Sequence, residues 1–361
     1  MSLKALTLNM RGSLWSSFKT LHSFKSVLKS NPALSRSCSS GYVSQIRYLM
    51  RLKEDDEACR EALKSGRILL YCNFAPLLQK SNNNVYKPAF LKSSDLDKIL
   101  EKVGRDKLFI NESVLLGCAE NGEAQFSLEV GDLDRSTLEQ QCGGVFVDLR
   151  KAFFMLNGQD TPLVAKGQSL LRWHQTNGFC SATGQPTVRN QSGSHRICHS
   201  SGITYYPKMA PVVIVLVSDG SRCLLGRQAM FPPGMYSALA GFCDMGESME
   251  EALHREVAEE VGLELESLQY SASQHWPFPQ SSFMVACHAT VNPDKTQVSI
   301  DKAELEDARW FTFKEITEAL QIKKPPRNPK GEPPLFWVPP SYAIANQLIQ
   351  EWANQQRLLR K

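Results

Sequence analysis

The segment from Gly241 to Leu263 constrains the fold more than any other part of this sequence. Ser248 and Glu251 have the spacing of a capping box, which predicts a helix that begins at Met249. Gly262 stands just past the last good helix former, where a left-handed residue can end the helix. Between these ends, apolar residues recur every four positions, at Leu253, Val257 and Val261. The pattern predicts an amphipathic helix with one buried stripe.

Three carboxylates crowd one turn of this predicted helix, at Glu256, Glu259 and Glu260. Like charges at that spacing destabilise an isolated helix by about 0.2–0.5 kcal/mol per pair. A bound cation reverses the sign of that effect, because clustered carboxylate oxygens suit hard divalent ions such as Mg²⁺ or Mn²⁺. A solvated acidic face is the commoner outcome for such a run taken alone.

The spacing of the whole segment resembles the signature of the Nudix hydrolases. Gly241 is followed after five residues by Glu247, and after seven more by the run from Arg255 to Leu263, so that every fixed position of the signature is matched. The resemblance implies a metal-dependent hydrolase in which Mg²⁺ or Mn²⁺ is held by Glu256, Glu259 and Glu260. It further implies the Ala240 carbonyl and Glu304 as metal ligands, with Glu304 alternatively orienting a water. Arg255 is expected to pair with Glu247 or Glu259 and to fix the rotamer of that carboxylate.

A second motif begins eleven residues after Gly262 and runs from Ser273 to Ser281. It resembles the substrate motif of the NADH pyrophosphatase branch, except that His275 stands where that branch has proline. Prolines alternate with Trp276 and Phe278, which stiffens the backbone and predicts two fixed aromatic walls. A rigid core turn with a buried tryptophan is the alternative.

Flat walls of this kind suit a nicotinamide or adenine ring, since stacking of a base on an aromatic ring contributes about 1–3 kcal/mol. The effect of His275 on the choice among nucleotides is left open. The predicted substrate-binding residues, including those carried over from the family, are Tyr206, Phe242, Gln274, His275, Trp276, Pro277, Phe278, Pro279, Gln280, Ser281 and Ala345.

The N-terminal region is basic, rich in serine and free of acidic residues as far as Glu54. This composition predicts a mitochondrial transit peptide over residues 1–45, with a disordered basic tail as the alternative. The net charge of the chain is only +4, so a nucleic acid partner is not expected. The most apolar run, Val212 to Val217, is too short to span a bilayer, and it predicts a buried strand instead of a membrane segment.

The remaining chain divides into three predicted parts. Residues 46–170 mix short strand and helix patterns without a catalytic motif, which indicates an α+β scaffold or dimer surface; a homodimer is left open. Residues 171–205 form a connector in the place of the family's zinc ribbon. Only Cys180 and Cys198 occupy expected ligand positions, where the other two are Thr183 and Ser201. Because structural zinc takes four ligands, a connector without metal is favoured and zinc is left open.

Residues 206–355 are expected to form the hydrolase domain. Its strand and helix patterns, together with the resemblance, predict an α/β fold, an α/β/α sandwich with a mixed sheet. The implied reaction is hydrolysis of the diphosphate of NADH or NADPH, giving reduced nicotinamide mononucleotide plus AMP or 2′,5′-ADP. Two alternatives are kept: the same chemistry on ADP-ribose or NAD-capped RNA, and an inactive nucleotide-binding module.

Overall fold

The computed structural model of the protein describes residues 41–81, 85–322, 326 and 335–360. Most of the predicted transit peptide, residues 1–40, therefore lies outside the described residues. Contacts divide the chain after Tyr48 into two units, and the second, from Leu49 onward, contains every sheet discussed below. Among the described residues, no helix has the length and apolar character needed to cross a membrane.

The N-terminal region is built around a seven-stranded sheet. Its central strands follow the order β3-β2-β1-β6-β5, where β1 and β6 run parallel, while β4 pairs with β1 and β7 with β2. The elements are α1 Tyr42–Glu54, α2 Asp56–Ser65, β1 Arg67–Cys72, β2 Ala75–Lys80, β3 Tyr86–Pro88, β4 Phe90–Lys92, α3 Ser93–Lys102, a 3₁₀ helix Lys107–Glu112, β5 Val114–Cys118, β6 Ala124–Glu129, α4 Arg135–Cys142, β7 Val145–Phe146, α5 Leu149–Ala152 and α6 Thr161–Thr176.

Turn chemistry explains the best-predicted part of this region. The pair Asn121-Gly122 predicts the turn of a hairpin. Strands β5 and β6 form an antiparallel hairpin around it, and Gly122 has a φ of +82°, which glycine adopts without strain. The pattern from Phe146 to Leu149 predicts a strand, and this prediction is wrong beyond Phe146. There Asp148 accepts hydrogen bonds from two backbone amides and starts the short helix α5, so a helix cap overrides the apolar strand pattern.

The connector is a small antiparallel sheet of three two-residue strands, in the order β10-β9-β8. They are β8 Val188–Arg189, β9 Arg196–Ile197 and β10 Thr204–Tyr205.

The C-terminal region contains a six-stranded mixed sheet in the order β14-β15-β11-β12-β16, with β13 paired to β11. Strand β11 runs parallel to β15 and antiparallel to β12 and β13. The elements are β11 Ala210–Ser218, β12 Arg222–Arg227, β13 Leu239–Phe242, α7 Met249–Val261, β14 Leu265–Trp276, β15 Ser282–Val291, β16 Asp307–Thr312, α8 Phe313–Ala319 and α9 Ile344–Leu359.

Alternation along β11 produces the two layers of core that flank this sheet. Val212, Ile214 and Leu216 pack with α8 and α9 on one face, whereas the intervening valines, 213, 215 and 217, pack with α7 on the other. Both faces of the strand are therefore buried, which is why the sequence shows a continuous apolar run. The predicted α/β/α sandwich is confirmed.

Candidate active site

Helix α7 has the caps that the sequence predicts. The Ser248 hydroxyl accepts from the Glu251 amide, the Glu251 carboxylate accepts from the Ser248 amide, and Gly262 ends the helix with a φ of +67°. These caps and the buried stripe fix the rotation of the helix. Consequently Glu256 and Glu260 point inward with exposures of 8% and 3%.

Glu256, Glu260 and Glu304 form a carboxylate cluster, with one oxygen from each lying within 4.8 Å of the others. In the described part of the chain, no other group of three His, Cys, Asp or Glu side chains is arranged to hold a metal ion. Burial, reinforced by the charges of the neighbouring glutamates, raises the pKa of Glu260 to about 8, and burial also raises the pKa of Glu256.

Two further observations show that this cluster fits a cation. Oε2 of Glu260 is buried and has no hydrogen-bond partner among the described residues, and an unpaired buried carboxylate oxygen is costly. In addition, a Cβ built on Gly241 would overlap the Glu256 carboxylate, so the glycine leaves room for that group. The three carboxylates match the oxygen ligands of hard divalent ions.

Arg255 holds the carboxylates around the cluster. Its Nε and Nη2 donate to the two oxygens of Glu247 at 2.6 and 2.8 Å, and Nη1 donates to Glu256 and to Glu259, both at 2.9 Å. Nη2 also donates to the Phe242 carbonyl, which ties the helix to the end of β13. Hydrogen bonds from Arg255 lower the pKa of Glu247 to about 2. Arg255 therefore pairs with both of the predicted alternatives, Glu247 and Glu259, and with Glu256 as well.

The carboxylate cluster opens into a cleft of about 1070 Å³ whose lining is mostly apolar. Trp276, Phe278 and Tyr342 line it together with Glu256, Glu260 and Glu304. Gln274 connects strand β14 to the segment that carries Tyr342. Its amide nitrogen donates to the Tyr342 carbonyl at 2.7 Å, and its oxygen accepts from the Ile344 amide at 2.9 Å. The other predicted residues that line this cleft are Ala240, Phe242, Arg255, Pro279 and Ala345.

The remaining predicted residues do not line the cleft, namely Tyr206, Glu247, Glu259, His275, Pro277, Gln280 and Ser281. Because side chains alternate along β14, His275 points away from the side on which Gln274 and Trp276 lie. Its Nε2 is 2.9 Å from the Ser281 hydroxyl and 3.3 Å from the Ser169 hydroxyl of α6. Tyr206 is largely exposed, with its ring 5.9 Å from that of His195.

Several residues that line the cleft were not predicted from the sequence. Tyr342 follows a proline-rich stretch that shows no periodicity, while Arg150 and Phe154 come from the N-terminal region, where no motif stands out. The sequence contains no local signal that these positions line the same cleft as Glu256 and Glu260.

The connector folds as a ribbon. Its four positions that correspond to zinc ligands contain two thiols, Cys180 and Cys198, and two hydroxyls, Thr183 and Ser201. The Cys180 sulfur lies 3.5 Å from the Ser201 hydroxyl and 3.0 Å from the Tyr205 hydroxyl, and the Cys198 sulfur lies 3.6 Å from the Thr183 hydroxyl. Hydrogen bonds from these hydroxyls lower the pKa of the Cys180 thiol to about 7. Thiol–hydroxyl contacts thus occupy the place where a four-cysteine ribbon would hold zinc.

We predict that the purified full-length chain carries no stoichiometric zinc, because hydroxyls are not the ligands of structural zinc sites. The double substitution T183C/S201C completes a set of four thiolates, and it is expected to bring the zinc content to about one ion per chain. Elemental analysis after removal of loosely bound metal measures both. About one zinc in the unaltered chain would contradict the prediction.

Three family models match consecutive parts of the chain. They are described as an NADH pyrophosphatase-like rudimentary NUDIX domain at residues 65–173, an NADH pyrophosphatase zinc ribbon domain at 175–206, and a NUDIX domain at 207–333. The zinc ribbon match agrees with the ribbon shape of the connector, although two of its ligand positions hold hydroxyls.

Similar proteins extend over almost the whole chain. The mitochondrial NAD(P)H pyrophosphatase NUDT13 of Homo sapiens is 51% identical over 326 residues, covering 88% of this chain and 92% of that protein. The protein of the same name from Mus musculus is 52% identical over 324 residues, covering 87% and 92%. The NAD-capped RNA hydrolase ndx-9 of Caenorhabditis elegans is 31% identical over 340 residues, covering 87% and 90%.

The signature from Gly241 to Leu263 and these comparisons lead to one family. Identity of about half over nearly the full length of both chains is far more than a shared fold requires, and two of the three matching family models are named for NADH pyrophosphatase. The protein is a Nudix hydrolase, and it belongs to the NADH pyrophosphatase-like branch of that family.

Proposed function

We propose that this enzyme hydrolyses the diphosphate of NADH and NADPH, producing reduced nicotinamide mononucleotide together with AMP or 2′,5′-ADP. The observation that carries the proposal is that the carboxylate cluster and an aromatic wall, formed by the rings of Trp276, Phe278 and Tyr342, line the same cleft. That pairing suits a ligand with a diphosphate next to a flat ring. The names of the two mammalian relatives, which are about half identical, support the same substrate class.

Nudix hydrolases require divalent metal ions, and Mg²⁺ or Mn²⁺ is the ion we propose here. Glu256, Glu260 and Glu304 would hold it, with the Ala240 carbonyl as a further proposed ligand at the end of β13. When bound, such an ion neutralises diphosphate charge and acidifies the attacking water. Two observations support this choice: the donor set consists of oxygens only, and the part of the chain that the structure describes supplies no hydrogen-bond partner to the buried Oε2 of Glu260.

The side chains around the cluster have supporting roles in this proposal. Arg255 bridges Glu247, Glu256 and Glu259, which keeps the Glu256 carboxylate oriented toward the cluster. Glu259 is half-exposed, so we propose that it contributes from the open side of the site. Glu304 is the exposed member of the cluster, a position that also suits a base acting on water.

The substrate ring is proposed to lie against Trp276 and Phe278, with Phe242 and Ala345 on the same cleft. Rings held in place before the ligand arrives lose little entropy on binding, and each stack contributes about 1–3 kcal/mol. Substrate binding also remains proposed for Tyr206, His275, Pro277, Gln280 and Ser281. The contacts of His275 with Ser281 and Ser169 support an indirect role for this residue.

The chain is further proposed to divide into a transit peptide at 1–45, an N-terminal domain at 46–170, a ribbon connector at 171–205 and the hydrolase domain at 206–355. We propose a mitochondrial location on the basic, serine-rich N-terminus and on the word mitochondrial in the names of the mammalian relatives. A fluorescent fusion of residues 1–50 that stays diffuse in the cytosol would argue against it.

The experiment that tests the function is a parallel assay of NADH, NADPH, NAD⁺, ADP-ribose and NAD-capped RNA with Mg²⁺ or Mn²⁺. We expect kcat/KM to be highest for NADH or NADPH, with mononucleotide products from both sides of the diphosphate. Preference for capped RNA, the activity named for the C. elegans relative, or for ADP-ribose would replace the proposed substrate while keeping the reaction type.

A further inference from the structure

The aromatic wall of the cleft is completed by a residue of the N-terminal region. Phe153 directly follows the short helix α5, and its ring centroid lies 5.8 Å from that of Trp276, 5.6 Å from Phe278 and 4.7 Å from Tyr342. The interplanar angles are 59°, 62° and 70°, so the ring meets all three at steep angles, as favourable aromatic pairs do. One buried ring thus contacts every aromatic side chain of the wall.

Phe153 is 3% exposed and belongs to a core cluster inside the N-terminal region. That cluster includes Leu149 and Val164, and the three wall residues pack against it from outside. Trp276 and Tyr342 are nearly parallel, with an interplanar angle of 14° and centroids 6.0 Å apart. Because Phe153 contacts both, it fixes the spacing of these two rings.

Contacts from the same region also restrain the segment from His275 to Pro279, which carries the rings of Trp276 and Phe278. The Arg150 guanidinium carbon lies 4.0 Å from the centroid of the Phe278 ring. Arg172 on α6 donates to the Pro279 carbonyl at 3.2 Å, and Ser169 on α6 lies within hydrogen-bond distance of His275. The N-terminal region therefore contacts this segment both at the Phe278 ring and at the Pro279 backbone carbonyl.

We propose that Phe153 is a positioning residue for substrate binding, acting through Trp276, Phe278 and Tyr342, and that the N-terminal region thereby forms part of the substrate site. The inference rests on the proposed function for the identity of the ligand. Phe153 itself is covered by the wall, so it contacts the ring of the ligand only through its neighbours. Loss of its ring leaves a void behind the wall, and the ligand must then immobilise side chains that were previously fixed.

The test compares Phe153→Leu with Phe126→Leu in the full-length protein. Phe126 is also fully buried in the N-terminal region, but it lies in a different core cluster. Both changes are expected to lower the thermal midpoint. Only Phe153→Leu is expected to raise KM for NADH, by about tenfold, with kcat within about twofold of the unaltered enzyme, as loss of uniform binding requires. Phe153→Met, which preserves more volume, serves if Phe153→Leu does not fold.

Two results would overturn the inference: an unaltered KM in a folded Phe153 variant, or an equal rise of KM in Phe126→Leu, which would indicate general loosening. If the unaltered enzyme leaves NADH uncleaved, the proposed function fails. In that case the KM values of Phe153→Leu and Phe126→Leu are compared with ADP-ribose as substrate, which still tests the role of Phe153.

Discussion

Replacement of Glu260 by glutamine is expected to lower metal-dependent cleavage of NADH by about a thousandfold, which corresponds to about 4 kcal/mol of lost charge stabilisation. Glu260 is 3% exposed, and one of its carboxylate oxygens lies within 4.8 Å of oxygens of Glu256 and Glu304. Glutamine retains the volume but loses the negative charge. Steady-state kinetics, together with calorimetric titration of Mg²⁺ in the presence of product, measure the loss.

The same substitution has an opposite expected effect on the metal-free fold. The pKa of Glu260 is raised to about 8, from an ordinary value of 4.5, chiefly by burial. Since the folded protein holds this proton more tightly than the unfolded chain, Glu260 makes folding progressively less favourable as the pH rises through that window. A glutamine side chain does not titrate, so the Glu260→Gln protein does not lose this folding stability as the pH rises. In chelator, the stability of Glu260→Gln relative to the unaltered protein should therefore increase from about pH 5 to about pH 8.5.

Glu250→Gln is the matched control, because Glu250 lies on the same helix but is exposed and does not line the cleft. It should retain activity and show only a small change in stability. Retained turnover in Glu260→Gln would remove this helix from the mechanism, whereas an unfolded variant would be detected by its thermal transition.

The sequence predicted the hydrolase helix well because its determinants are local. Ser248, Glu251 and Gly262 specify the two ends through contacts with nearby backbone, and the apolar stripe then decides which glutamates turn inward. The buried strand β11 was predictable for a related reason, since both of its faces are covered and the run is apolar throughout.

The parts that escaped prediction depend on contacts between distant segments. Phe153 meets Trp276 across more than a hundred residues of sequence, and a single phenylalanine just after a short helix carries no pattern that indicates its partner. The direction of His275 was likewise hidden, because the motif did not indicate that the residue lies in the long strand β14. Strand alternation then places it opposite Trp276.

Gly241→Ala is expected to reduce activity by about a hundredfold or more, with reduced affinity for Mg²⁺. A methyl group at this position would overlap the carboxylate carbon and both oxygens of Glu256. The backbone has little freedom to retreat, since β13 pairs residue by residue with β11 and Gly241 lies opposite Val213. The carboxylate must therefore leave the cluster, or β13 must separate from the sheet together with the Ala240 carbonyl.

Gly117→Ala is the matched control for this change. Gly117 also lies in a strand, β5, but a Cβ built there meets no atom within 4 Å, so its substitution should leave both kcat/KM and Mg²⁺ affinity unchanged. A Gly241→Ala enzyme with ordinary Mg²⁺ affinity would contradict the close fit between β13 and Glu256. If instead affinity falls while the thermal midpoint is kept, the glycine is required for the geometry of the metal site and not for the fold.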